Sequence, residues 1–318
     1  MPVVYAFFFI PIIEVLVGPS AKNLSTAEEE VAKADKLYDW LLYLIVPIQV
    51  GFVIWYFFNI QTVQIGTTTF WGRTFSLGLL CGVLGINVAH ELGHRVNRME
   101  KNMAKLLLMT SMYPHFYIEH NYGHHRNVAT REDPASSRYN ESLYRFWIRS
   151  VWNSYLSAWK IENKRSKRKP GIHPFKNEMW RFTVIQVVIL IGILAFFGTK
   201  VLLGFSVAAL TGILLLETVN YIEHYGLSRS KVSDHRYENT TAAHSWNSNH
   251  WIGRLMLFEL SRHSDHHANP EKKYQVLLSH KGSPQMPTGY PGMMLLSIIP
   301  PLWFAIMNKR VRLYSQSV

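Results

Sequence analysis

Cysteine is nearly missing from this chain, with Cys81 the sole thiol among 318 residues. One thiol cannot build a disulfide framework, a cysteine-rich zinc knuckle or a covalently fused four-cysteine iron centre. Charge is also scarce, at 17% of residues, and it is lopsided: 33 Lys and Arg against 21 Asp and Glu, a net +12. A nucleic-acid surface would need that charge on a soluble face with a recognisable reading element. The basic residues instead sit in loops between oily runs, so no nucleic acid is expected as a partner. A secretory signal would open on a charged stretch, and Met1 to Val17 has none before Gly18-Pro19. No repeat of 20–50 residues is visible, and low complexity is confined to Lys164-Arg-Ser-Lys-Arg-Lys169.

What the chain does have is hydrophobic length, 48% of all residues. About 20 apolar residues in a helix cross a hydrocarbon core of roughly 30 Å. That measure predicts an all-α integral-membrane protein, a single catalytic domain over 1–318, with spans near 1–17, 38–60, 69–89, 180–198 and 200–222. The last two form a hairpin turning at Gly198-Thr-Lys200. Gly78 and Gly82 make a small-xxx-small pair that would admit a neighbouring helix closely. Segment 103–118 is apolar but short and carries Pro114 and His115, so it reads as re-entrant or interfacial. Segment 289–307, broken by Pro300-Pro301, reads as surface-bound. Residues 143–159 read as an amphipathic helix (Leu143, Phe146, Trp147, Val151, Tyr155, Trp159) lying in the membrane interface.

Three spans before residue 90 put the start of the chain on the face opposite the polar regions 90–179 and 223–288. Of the Lys and Arg residues, all but Arg73 and Lys200 then fall on the face of those regions. The positive-inside rule makes that face cytoplasmic. A start on the outer face is unusual for a chain without a signal, so one further span, a sixth, is expected before Met1.

The polar regions hold the chemistry. Nine of the 15 histidines fall in boxes: His90-Glu-Leu-Gly-His94, Glu119-His120-Asn-Tyr-Gly-His124-His125, Arg262-His263-Ser-Asp-His266-His267, and His224 in Asn220-Tyr-Ile-Glu-His-Tyr-Gly226. Imidazole suits Fe, Zn, Cu and Ni, and nine such ligands exceed what one ion can use, so two metals bound by protein nitrogen are expected. Each box carries a carboxylate (Glu91, Glu119, Glu223, Asp265) suited to accept the second N–H of a ligating imidazole. His115, His173, His235, His244, His250 and His280 lack that pairing, and His173 and His280 read as solvated. The first box is also literally HExxH, the zinc-protease pattern with Glu91 as base. Such a hydrolase needs one further ligand and an open position and leaves the other boxed histidines without purpose.

The strings HELGHR, EHNYGHHRNVAT, NYIEHYGL and RHSDHHA, with EDPASSR and HSWNSNH between them, resemble the integral-membrane alkane monooxygenase family over about residues 87–303. NYIEHYGL separates that group from fatty-acid desaturases, which share the general three-box plan. Ser261 and Arg95 depart from the residues common in the family. The resemblance implies six spans and a helical cytoplasmic cap holding two non-haem Fe ions, with O2 as oxidant. It implies terminal hydroxylation of medium-chain linear alkanes, driven by rubredoxin and its NADH-dependent reductase. A channel wall of Phe7, Phe8, Val83, Leu84 and Ile86 is expected, and a rubredoxin-docking face of Arg126, Arg131, Lys164, Arg165, Lys167, Arg168 and Lys169. A xylene-type aromatic methyl monooxygenase, a fatty-acyl desaturase and a non-enzymatic metal-binding protein remain as alternatives.

Overall fold

A computed structural model describes residues 2–167, 176–234 and 236–317. The all-α expectation holds: among the described residues the sheet content is one two-stranded hairpin, Lys231–Ser233 against Arg236–Tyr237, and isolated bridges. Arg168, Lys169, His173 and His235 lie outside the described residues. The chain forms two compact units, each assembled from separated segments. One comprises 1–3, 39–123 and 153–216, the other 4–38, 124–152 and 217–318.

The first unit contains the membrane helices. Among the described residues three helices are long and apolar enough to cross a bilayer: Leu37–Ile60, Thr68–His94 and Glu178–His224. The last runs 47 residues, about twice a single crossing, and breaks at Gly198, where φ 82° and ψ 177° need a residue without a Cβ. The break falls at the expected hairpin turn. Lys200 Nζ donates to the carbonyls of Gln61 and Val63, so both short inter-span connections meet at one end of this unit. The apolar stretch of Thr68–His94 is 61% buried, against 28% for Leu37–Ile60 and 17% for Glu178–His224. Thr68–His94 is therefore the central helix, and the outer two present their apolar sides to lipid.

Close approach of the central helix to the hairpin depends on glycine. A Cβ on Gly78 would lie 2.6 Å from Thr211 Cβ and 2.9 Å from the Ala208 carbonyl, and one on Gly212 would lie 2.9 Å from Cys81 Cβ. Gly82 faces Leu215 at 3.4 Å, which bears out the small-xxx-small reading. Backbones this close gain dispersion contacts that lipid cannot match. Gly78→Ala should therefore cost about 1–3 kcal/mol through overpacking and lower the thermal midpoint of the detergent-solubilised protein. Gly51→Ala, where a Cβ meets nothing within 4 Å, serves as the control and should not lower it.

Segment 103–118 makes no span. It is the end of helix Arg98–Met109 and a turn through Met112 (φ 53°) into the short helix Phe116–Glu119. The Leu143–Ser166 helix forms as expected, with Leu143 and Phe146 fully buried.

In the second unit, the expected first span is the helical stretch Pro2–Val17. Its 16 residues rise about 24 Å, short of the roughly 30 Å a crossing needs. Its Glu14 is 2% exposed and accepts the Gly253 N–H at 2.8 Å, which ties the helix to protein as well as to lipid. Segment 289–307 becomes two helices, Tyr290–Ser297 and Pro300–Ser317. The core of this unit is aromatic. Trp303 packs on Tyr221 and Tyr225 at centroid separations of 5.1 and 5.2 Å, and Trp246 Nε1 donates to the Tyr225 carbonyl.

Candidate metal centre

The central membrane helix contains a π turn, Cys81–Ile86, and then continues as Asn87–His94, which carries the first box. His90 and His94 are one turn apart on one face. In the same unit His94 Nε2 lies 3.1 Å from His120 Nε2, and the His90 and His120 rings are 4.5 Å apart. The Phe116 ring stacks on His120. Three imidazoles thus converge, their ligand atoms within 4.8 Å of one another.

The second box is itself a π turn, His120–His124, with His120 in the first unit and His124 and His125 in the second. A Cβ on Gly123 would come within 2.5 Å of Glu119 Oε1, so any larger residue there would displace that carboxylate. His124, His224, His263 and His267 form a buried quartet, exposed by 1, 0, 2 and 3%, with ligand atoms within 4.8 Å of one another. The contacts run through Nε2: His124 to His267 at 3.2 Å and His263 to His224 at 3.3 Å. His263 and His267 are spaced i, i+4 on the short helix His263–Ala268 and so share a face. His266 points elsewhere and meets His125 Nε2 to Nε2 at 3.2 Å. Adjacent residues in a helix are about 100° apart, which is why His124 and His125, or His266 and His267, do not serve one group. Burial, then the neighbouring imidazoles, drives the His267 pKa well down, leaving the neutral form that can bind a metal.

The carboxylates are placed differently from a simple one-per-box pattern. Asp133, in the EDPASSR string and overlooked as a site residue, accepts from His124 Nδ1 at 2.8 Å and from the Ser136 hydroxyl at 2.6 Å. Burial alone would raise its pKa; His124 and Ser136 leave it below the ordinary value. This is the carboxylate–histidine arrangement that fixes a ligand tautomer, and its signal was a carboxylate just outside a box. Glu91 pairs with Arg95 at 2.8 Å, and Arg95 also reaches Asp39 at 3.3 Å. Glu119 accepts from Ser157. Glu223 Oε2 is 3.1 Å from His263 Nε2, the nitrogen that meets His224, and its other oxygen accepts from Tyr290 at 2.6 Å.

Asp265 turns toward the following loop, accepting from His280 Nε2 (2.7 Å), Lys272 (3.1 Å), Asn269 (2.8 Å) and the Leu278 N–H (2.8 Å). His280 therefore has a carboxylate partner, contrary to the expectation of a solvated side chain. The unboxed His115 is buried against Tyr113 and Tyr155, its pKa pushed down to about 3 by burial. Among the described residues His115, His244 and His250 join neither histidine group.

Of the expected channel residues, Ile86 is fully buried, Phe7, Val83 and Leu84 are half-buried, and Phe8 is exposed. Of the expected docking residues, Arg126, Arg131, Lys164 and Lys167 are exposed, while Arg165 pairs with Glu162 and covers the Tyr122 ring.

A family model described as fatty acid desaturase matches residues 66–295. The alkane 1-monooxygenase 2 of Pseudomonas aeruginosa is 42% identical over 320 residues, covering 97% of this chain and 82% of the relative. The alkane 1-monooxygenase of Ectopseudomonas oleovorans is 41% identical, covering 95% and 75%. The xylene/toluene monooxygenase hydroxylase component of Pseudomonas putida is more distant, at 30% over 85% and 73%.

Proposed function

On the premise that this chain belongs to the alkane 1-monooxygenase family, we propose that it hydroxylates the terminal carbon of medium-chain linear alkanes. The reaction balances as alkane, O2, two electrons and two protons giving a primary alcohol and water. The proposed electron donor is rubredoxin, re-reduced by an NADH-dependent reductase. The observation that carries the reading is the buried quartet of His124, His224, His263 and His267 with Nε2 contacts of 3.2 and 3.3 Å. Four buried imidazoles that meet through Nε2 suit a borderline cation such as Fe(II). We propose two irons held by the nine boxed histidines, one of them in the quartet. Bound iron would supply the reductive activation of dioxygen.

The chain's own residues do the rest. Asp133 holds His124 so that Nε2 faces the quartet. Ile86, one turn before His90 on the same helix, is a wall residue that would keep water from the reacting end of a hydrocarbon. Phe7, Phe8, Val83 and Leu84 are proposed as further wall. Positive-inside charge supports a cytoplasmic position for the histidines, at a bacterial inner membrane.

Metal analysis and product analysis test the reading together. The purified chain should carry iron, and with rubredoxin, reductase and NADH it should turn octane into 1-octanol. One zinc per chain with little iron would sink the proposal, as would an alkene, which differs from the alcohol by one water and marks a desaturase.

The basic face makes a separate expectation. Charge-steered encounter is screened over about 8 Å at physiological ionic strength, so turnover at limiting rubredoxin should fall as salt rises. Neutralising Lys164 and Lys167 together with Arg126 and Arg131 should slow electron delivery and leave iron content intact. Equal rates for variant and wild type at limiting rubredoxin would show that these residues serve topology alone.

A further inference from the structure

His120 has an apolar ring against it: Phe116 stacks on it at a centroid separation of 4.6 Å. From Phe116 the aromatic contacts continue outward without a gap. Tyr113 lies near-parallel to Phe116 at 6.3 Å, His115 meets Tyr113 at 4.2 Å, and Tyr155 meets His115 at 5.2 Å. Trp159 follows Tyr155 at 6.4 Å, and Trp180 follows Trp159 at 5.4 Å. All of these rings belong to the first unit. Burial falls along the series: Tyr113 is 2% exposed and His115 7%, Tyr155 and Trp159 are half-buried, and Trp180 is 49% exposed. The rings therefore run from a boxed histidine to the surface. Local structure sets this up. Tyr155 and Trp159 are one turn apart on one face of the Leu143–Ser166 helix, and Trp180 stands in the first turn of Glu178–His224.

Packing alone does not call for these residue types. Phenylalanine would fill the buried place of Tyr113 without a hydroxyl to satisfy. An interfacial aromatic belt accounts for Trp159 and Trp180, but Tyr113 lies inside the protein. What Tyr and Trp share, and Phe and Leu lack, is a ring that gives up one electron to a strong oxidant. Neither accepts an electron from a mild donor, so the series cannot carry the reducing current of turnover. It conducts only when oxidising power is left at the histidines, with Phe116 and His115 as bridges between the oxidisable rings.

We propose that Tyr113, Tyr155, Trp159 and Trp180 form an escape path that carries oxidising equivalents from the metal centre to the surface when oxygen is activated with no alkane in place. The inference rests on the iron monooxygenase reading above. O2 takes two electrons and two protons from the donor side, and one of its oxygen atoms leaves as water. The second atom needs two more electrons and two protons to do the same. The rings supply those electrons one at a time, each oxidised ring being refilled by the next ring outward. At Trp180 a soluble two-electron reductant such as ascorbate restores the indole and releases two protons. Without it the outer tryptophans are themselves oxidised.

The test uses the full iron-loaded chain with rubredoxin, reductase, NADH, O2 and catalase, and with octane left out. It is read by peptide mass mapping of tryptophan oxidation and by electron paramagnetic resonance of samples frozen during turnover. Trp159 and Trp180 should gain oxygen and a tryptophan radical should be seen, and ascorbate should suppress both. Trp40 is the internal control. It is 65% exposed and stands at the same end of this unit, next to Asp39, which pairs with Arg95 one residue past His94. It should stay unmarked. Trp159→Phe keeps a ring in place but removes an oxidisable one, so marking of Trp180 should drop to the level of Trp40. The same variant should inactivate faster without octane, while its initial rate with octane is unchanged. Equal marking of Trp40 and Trp180, absence from both included, overturns the proposal, as does unchanged marking of Trp180 in Trp159→Phe. Should that variant not fold, unchanged marking of Trp180 in Tyr155→Phe is equally decisive. A wild type that makes no 1-octanol when octane is supplied overturns the parent reading, and the path falls with it.

Discussion

Replacing His224 by alanine should remove iron from the chain and reduce hydroxylation to the background rate. His224 is fully buried, and its Nε2 meets that of His263 at 3.3 Å. Its ring also lies 4.9 Å from that of His124 and 5.0 Å from that of His267, so it stands at the middle of the quartet. Truncation leaves a hole lined by three imidazoles. Water can enter such a hole and bind a metal, but it adds no chelate to hold the ion. Losing a direct ligand should weaken retention by more than the 10–100-fold typical of an outer partner. Iron analysis and turnover on the same preparation decide it: a His224→Ala chain with wild-type iron and wild-type rate would remove this residue from the ligand set. His115→Ala makes the useful contrast. That imidazole is also buried but sits between tyrosines, so its loss should lower the thermal midpoint while iron is kept.

The second large effect is expected at Asp133, which touches no metal. Its carboxylate accepts from His124 Nδ1 and from Ser136, and the Ala135 N–H donates to its other oxygen at 3.1 Å. The turn therefore places an anion where His124 needs a proton on Nδ1 and a lone pair on Nε2. Asp133→Asn keeps the shape and loses the charge, and an amide can turn its NH2 toward the ring and favour the wrong tautomer. Iron retention should fall about 10–100-fold against a chelator, with rate falling in step. Ser136→Ala removes one bond to the same carboxylate and should produce a smaller loss in the same direction. Retention unchanged in Asp133→Asn would mean that packing alone orients His124.

Periodicity and residue type made most of the membrane architecture and the histidine boxes readable before any coordinates. Long oily runs have few alternatives, and Gly78 with Gly82 marked a close approach that the hairpin fills. Three things were not readable. The carboxylate serving His124 lies nine residues away in a turn whose direction depends on how Ser136 and Ala135 close it. The division of labour between adjacent histidines depends on helical phase across segments far apart in sequence. His280 reads as solvated from its basic, Gly/Pro-rich loop, and only the fold of 269–280 reveals that Asp265 turns toward it.

The π turn at Cys81–Ile86 gives the chain a sensitivity to length that differs from its sensitivity to residue type. A π turn is an α-helix with one residue too many, absorbed without unwinding. Everything after it, His90 and His94 included, is carried about 100° around the axis relative to an uninterrupted helix. Substituting Val83 or Leu84 changes a surface, and deleting either should let the segment relax to regular helix with both histidines near their present phase, whereas a deletion elsewhere in the helix should swing them off their partners. A single-residue gap within this turn of a relative should therefore need no compensation, while a gap in the regular helix on either side of it should be accompanied by an insertion before the first histidine.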